Sequence, residues 1–281
     1  MRVYVSVDME GIAGVATLDQ VIRGGSGYLR AQELMTAETN AVIAGAFDAG
    51  AEEVLVNDSH GTMDNLLHES MDERARLIFG TPKAQCMAHG LNGDHDIAML
   101  VGYHAPAGVS GVLSHTFSSF FTGFRVNEAC ASEADVTALA AGAHQVPVGL
   151  VTGDDVICAL AETQLPGAVT VAVKRAEGGT ATNSLHPAAA RAQVREAAAR
   201  AVAAADRLTP VRMPDELVLE VDFQIATAAE LAAQVPGAER VGHLSVRREL
   251  ADPDELMGLV NVWYQIAAGA ARTQLGLMQR L

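Results

Sequence analysis

Apolar and polar residues alternate from the start of the chain, in Arg2-Val3-Tyr4-Val5-Ser6-Val7-Asp8, and a period of two predicts a β-strand with two distinct faces. Short apolar runs recur at residues 54–58, 97–103, 148–152 and 169–173 and predict further strands. Longer stretches of helix formers lie between them. Residues 29–49 contain no proline and are followed by Gly50, a natural helix stop; residues 129–144 and 154–164 read as helices; residues 187–208 form an alanine-rich helix opened by a proline. Strands alternating with helices predict an α/β fold, a mostly parallel sheet flanked by helices. After Pro214 the rhythm changes: residues 217–223 alternate, 227–234 look helical, 240–248 alternate again, and 253–281 form a long final helix. The expected division is an α/β domain over residues 1–165 and a smaller α+β portion over 166–281, with no linker or internal repeat to mark the boundary.

Composition narrows the partners. With 49% hydrophobic and 19% charged residues in 281, the chain has ample material for a core. Its 34 acidic and 19 basic residues give a formal charge of -15, which repels phosphate backbones and anionic lipid head groups, so neither nucleic acid nor a membrane surface is expected as a partner. Cys86, Cys130 and Cys158 are odd in number, widely spaced and without a C-x-x-C pair. They suggest neither a disulfide framework nor a thiolate zinc site, and are read as buried thiols of a reducing compartment. No apolar run approaches the ~18 residues of a membrane span, and the chain starts directly on a strand instead of a signal peptide. A cytoplasmic protein is expected.

Candidate chemistry gathers at the carboxyl ends of the first three strands, where open parallel sheets bind their ligands. The first strand runs into Asp8-Met9-Glu10-Gly11. If extended backbone persists, both carboxylates share one side and Met9 turns into the core. The second ends Asn57-Asp58-Ser59-His60-Gly61, and the third ends Gly102-Tyr103-His104-Ala105. Alone, such an aspartate is more often a cap and such a histidine a satisfied polar residue near the surface. Together, two acids and two imidazoles from three neighbouring strand ends form a zinc-type donor set, in which Asp8 suits the place between two ions.

Those segments, with Ser6-Val7-Asp8-Met9-Glu10-Gly11 foremost and Ser114-His115 following, resemble the zinc-dependent D-aminopeptidases of the dipeptide-transport-operon type. The resemblance runs through most of the chain and is densest in residues 1–155. It implies two zinc ions per chain, held by Asp8, Glu10, His60, His104 and Glu133, and a catalytic role for His115. It makes residues 1–165 the metal-binding catalytic portion. It also implies a homo-oligomer, a decameric ring whose sites face an interior channel and admit short peptides. On pattern alone, Glu133 is a solvated helix glutamate and His115 is ambiguous. The stretch Ser118-Ser119-Phe120-Phe121-Thr122-Gly123-Phe124 departs from the family's pattern and is expected on the substrate side.

The function expected from this is release of N-terminal residues, D-amino acids such as D-Ala, from short peptides or amides by water activated between the ions. An L-specific aminopeptidase of the same family is the alternative closest to it. A dinuclear phosphoesterase uses similar ligands, but the chain has neither a G-x-x-x-x-G-K-[ST] loop nor an evident arginine clamp near the ligands. A scaffold whose acids and histidines only cap strands is the non-enzymatic alternative.

Overall fold

The computed structural model describes residues 1–278. Its strands are β1 (Arg2–Val7), β2 (Glu53–Asp58), β3 (Arg76–Ile78), β4 (Ile97–Tyr103), β5 (Phe121–Val126), β6 (Ala129–Cys130), β7 (Val148–Asp154), β8 (Val169–Gly178), β9 (Ala181–Ser184), β10 (Leu217–Phe223), β11 (Ala238–Arg240) and β12 (Ser245–Leu250). Its helices are α1 (Leu18–Val21), α2 (Tyr28–Asp48), α3 (Glu133–Ala143), α4 (Asp155–Gln164), α5 (Pro187–Ala204), α6 (Ala226–Ala232) and α7 (Pro253–Met278).

Seven strands form the first sheet in the order β3-β2-β1-β4-β7-β8-β9. All neighbours are parallel except the final pair, β8 and β9. The expected parallel α/β sheet is therefore present. From β1 the chain builds outward through β2 and β3, then returns to the other side of β1 with β4. Strand order reverses between β1 and β4, and in such sheets the crevice at the reversal is where ligands bind.

The period of two in β1 sorts its side chains into different cores. Val3, Val5 and Val7 join one buried cluster with residues of α2 and α5, while Tyr4 joins the other with residues of α3 and α7. Every residue of β4 is buried, as expected for a strand covered on both faces.

The second sheet, β11-β12-β10-β5-β6, is antiparallel. Phe121 and Phe223 meet edge to face at 5.4 Å between ring centroids, and Phe223 meets the buried Trp263 of α7 at 5.8 Å. The two sheets do not separate at residue 165. Strands β8 and β9 complete the first sheet, while β5 and β6, far upstream, belong to the second.

Several local expectations need correction. Residues 129–144 do not form one helix: Ala129–Cys130 pair with β5, and α3 begins only at Glu133, where the Ser132 side chain accepts the Asp135 N–H as an N-cap. Residues 240–248 are two strands, not one, because the chain turns back after Arg240. Of residues 118–124, only 121–124 lie in β5. Cys86 and Cys158 are buried, but Cys130, on an edge strand, is exposed. Residues 279–281 of the expected final helix lie outside the described residues. Among the described residues no helix is long and apolar enough to cross a membrane.

Candidate metal centre

All six candidate residues converge at the strand reversal. Strand β1 ends at Val7, so extended backbone does not carry through Glu10. A turn follows instead, with the Ile12 N–H donating to the Met9 carbonyl at 3.1 Å. Asp8 and Glu10 nevertheless face the site together, and Met9 is wholly buried. Gly11 permits this. A Cβ there would collide with the carbonyl of Tyr103 at the end of β4, while the Gly11 N–H donates to the Gly102 carbonyl at 2.7 Å. Gly102 itself sits at φ +72, where a Cβ would strike the Asp8 carbonyl. Two glycines therefore let the segment of Asp8 and Glu10 and the segment of His104 touch backbone to backbone.

His60 is aimed by its neighbours. Asp58 accepts hydrogen bonds from the Leu66 N–H and the Asn65 side-chain amide, both at 2.8 Å, and the same amide donates to the His60 carbonyl at 2.6 Å. The ring Nε2 lies 2.8 Å from the Val21 carbonyl, which must receive its proton. Nδ1 then carries the lone pair, 2.8 Å from Glu10 Oε2 and 3.2 Å from Asp8 Oδ1.

His104 is the mirror case. Its Nδ1 donates to the Ala105 carbonyl at 3.0 Å, leaving the Nε2 lone pair 3.3 Å from Asp8 Oδ2 and 3.4 Å from Glu133 Oε1. Glu133 opens α3 and accepts the Phe117 N–H at 2.6 Å. His115 stacks on His104, with ring centroids 4.2 Å apart and planes 7° from parallel. Its Nδ1 donates to the Leu113 carbonyl at 2.8 Å, and its Nε2 lies 3.7 Å from Glu133 Oε1. With a side chain 26% exposed, it is the most open member of the cluster.

These contacts are unsatisfactory as ordinary hydrogen bonds. Two imidazole lone pairs point at carboxylate oxygens, and His104 Nε2 and Asp8 Oδ2 are buried with no hydrogen-bond partner at all. A cation resolves both faults. Tetrahedral ligands about 2.0–2.1 Å from zinc lie roughly 3.3 Å from one another, close to most of the separations here. Donor atoms of Asp8, Glu10 and His104 lie within 4.8 Å of one another, as do those of His104, His115 and Glu133. The residues therefore fit zinc, by donor type and by spacing.

Electrostatics agrees. Burial raises the Asp8 carboxyl, and the neighbouring Glu10 charge adds to the rise. Burial also works to raise Glu10, but His60 outweighs it and holds Glu10 well below the usual carboxylate range. Glu133 is lowered against burial by His104. His60 and His104 are pushed well above the ordinary imidazole value in spite of burial, the first chiefly by Glu10 and the second by Glu133. A field that draws an extra proton onto each ring equally draws a metal ion to the same lone pairs.

Sequence reasoning missed the supports. Asp154 accepts the Val112 N–H at 2.8 Å and the Ile157 N–H at 2.9 Å, anchoring the segment that carries His115. Lys83 donates to Asn57 Oδ1 at 2.7 Å and to the Asp58 carbonyl at 2.6 Å, just before His60. Lys174 lies buried in β8, and a charge within the run Val169-Thr170-Val171-Ala172-Val173-Lys174 was the available signal.

The D-aminopeptidase family model, peptidase M55, matches residues 1–262. A D-aminopeptidase of Bacillus subtilis (strain 168) is 37% identical over 268 residues, spanning 95% of this chain and 98% of the relative. The solved structure of the Zn-dependent D-aminopeptidase DppA from Bacillus subtilis, described as a self-compartmentalizing protease, matches with a TM-score of 0.92 and 37% identity. That match covers 95% of this chain and 98% of the other.

Proposed function

The chain belongs to the peptidase M55 family of D-aminopeptidases, and on that premise we propose that it is a dinuclear zinc enzyme releasing N-terminal D-residues such as D-Ala from short peptides. It is a zinc-dependent peptide-bond hydrolase by family and by structural match. The observation supporting two ions is the division of Asp8: Oδ1 faces His60 beside Glu10, while Oδ2 faces His104 beside Glu133. In this reading Asp8 is shared, Glu10 and His60 complete one side, and His104 and Glu133 complete the other.

Zinc at this position supplies Lewis-acid polarisation of the scissile carbonyl and acidification of water. The protein's own groups do the rest. Carbonyls of Val21 and Ala105 hold the two ligand imidazoles in the tautomers that present lone pairs inward. The Leu113 carbonyl does the same for His115, so Nε2 is its working nitrogen. Partly open to solvent and stacked on His104, His115 would carry a proton to the departing amine or stabilise negative charge on the carbonyl oxygen.

Assembly follows from the same likeness. We propose a homo-oligomer, a decameric ring enclosing its sites, which restricts substrates to short peptides; native mass spectrometry giving a monomer would exclude it. The activity is tested with paired D- and L-alanyl dipeptides and amides, with zinc content measured on the same sample. Turnover of the D-series with about two zinc ions per chain is expected. Turnover confined to the L-series would overturn the stereochemical reading, and full turnover at one ion would overturn the dinuclear one.

A further inference from the structure

Glu10 stands on irregular backbone, and the satisfaction of that backbone is unusual. Between Asp8 and Ala16 most N–H groups find partners outside any strand ladder. The Ala13 N–H donates to Glu38 Oε2 on α2 at 3.2 Å, the Gly14 N–H to Ser184 Oγ on β9 at 3.0 Å, and the Ala16 N–H to Gln20 Oε1 at 2.8 Å. On the acceptor side, three carbonyls of this loop converge on one atom. Lys174 Nζ donates to the Glu10 carbonyl, to that of Ile12 at 3.0 Å and to that of Val15 at 2.6 Å.

An ammonium has three donors and no acceptor, so these bonds use its whole capacity. Lys174 is 3% exposed and reaches the loop from β8, more than 150 residues away along the chain. The desolvation cost of burying a lysine is large, and only full hydrogen bonding offsets it. Three carbonyl dipoles drawn inward to one point would conversely repel one another without a cation at their centre.

We infer that Lys174 is a positioning residue for the Glu10 side of the metal centre: its ammonium gathers the carbonyls of Glu10, Ile12 and Val15 and so aims the Glu10 carboxylate before any metal ion binds. Glu10 then meets the ion without the loop having to order, which lowers the cost of binding on that side alone. His104 and Glu133 stand on other segments and receive no hydrogen bond from Lys174, whose three go to Glu10, Ile12 and Val15. The inference rests on the dinuclear reading proposed above.

The test is zinc release from the full-length, zinc-loaded protein to a coloured chelator. Glu10→Gln identifies the release phase belonging to the Glu10 side. Lys174→Met is expected to accelerate that phase about 10- to 100-fold, the usual loss when a ligand's support is removed, and to leave the other phase within about twofold. An unchanged Glu10-side phase, or equal acceleration of both, overturns the inference. Wild-type protein carrying only one zinc overturns the dinuclear reading instead. Hydrogen exchange on the wild-type protein decides independently, including if Lys174→Met does not fold. Peptides covering residues 9–16 should be equally protected in chelator-treated and zinc-loaded protein, whereas a loop protected only after zinc is added overturns the positioning role.

Discussion

Asp8 presents one oxygen to each half of the site, so its loss is expected to affect both halves. Asp8→Ala should reduce bound zinc to well below one ion per chain by elemental analysis, and retention of two would remove Asp8 from the ligand set. His115 differs because it stacks on His104 without sharing the carboxylates of the His60 side. His115→Ala should keep its zinc and lose about 10²- to 10⁴-fold in kcat, and undiminished turnover would end its catalytic assignment. On the proposed ligand set, protons compete with zinc for His60 Nδ1 and His104 Nε2, whose affinity for protons the adjacent carboxylates raise. Zinc affinity should accordingly rise with pH, and a pH-independent Kd by competition with a chelator would contradict this. At this scale the candidate ligands at the first three strand ends were legible because a strand delivers its last side chains to a definite place. Glu133 was legible only through family likeness. Its signal in isolation is that of any first-turn glutamate, and the contact with His104 is made across 29 positions of sequence.

Elements were legible where one period dominates. The alternation of β1 and the uniformly apolar β4 announce a half-sorted strand and a fully buried one. They were misread where a short pairing cuts a compatible pattern: residues 129–130 are drawn into a strand by β5, although alanine and cysteine do not oppose a helix there. The close approach of β1 and β4 is likewise a property of paired elements. Gly11→Ala would drive a methyl group into the backbone of Gly102 and Tyr103, which a flexible side chain cannot relieve. It should cost at least about 1–3 kcal/mol in urea unfolding and weaken zinc binding, and a wild-type unfolding midpoint would show the contact to be looser than described.

For the whole molecule, a buried acid of α2 couples folding to pH. Burial raises Glu38 to about 7, although the Ala13 N–H and Lys174 oppose the shift. Between its unfolded value of 4.5 and about 7, the native protein keeps a proton that the unfolded chain has released. Stability from this group is therefore present at low pH and lost as pH rises through 7. Glu38→Gln should gain on wild type by roughly 3 kcal/mol between pH 4.5 and 7.5 in urea titrations, and parallel pH profiles would refute the linkage. Local periodicity and strand-end chemistry were enough, from sequence alone, to determine an α/β fold with acids and imidazoles placed for zinc, because these depend on the order of residues within one element. Tertiary structure alone decided that Asp8 faces both histidines, that β5 and β6 leave the first half of the chain for the second sheet, and that Lys174 supports the Glu10 loop. Each of these depends on distances between residues remote in sequence, which are set only when the sheet order brings their strands together.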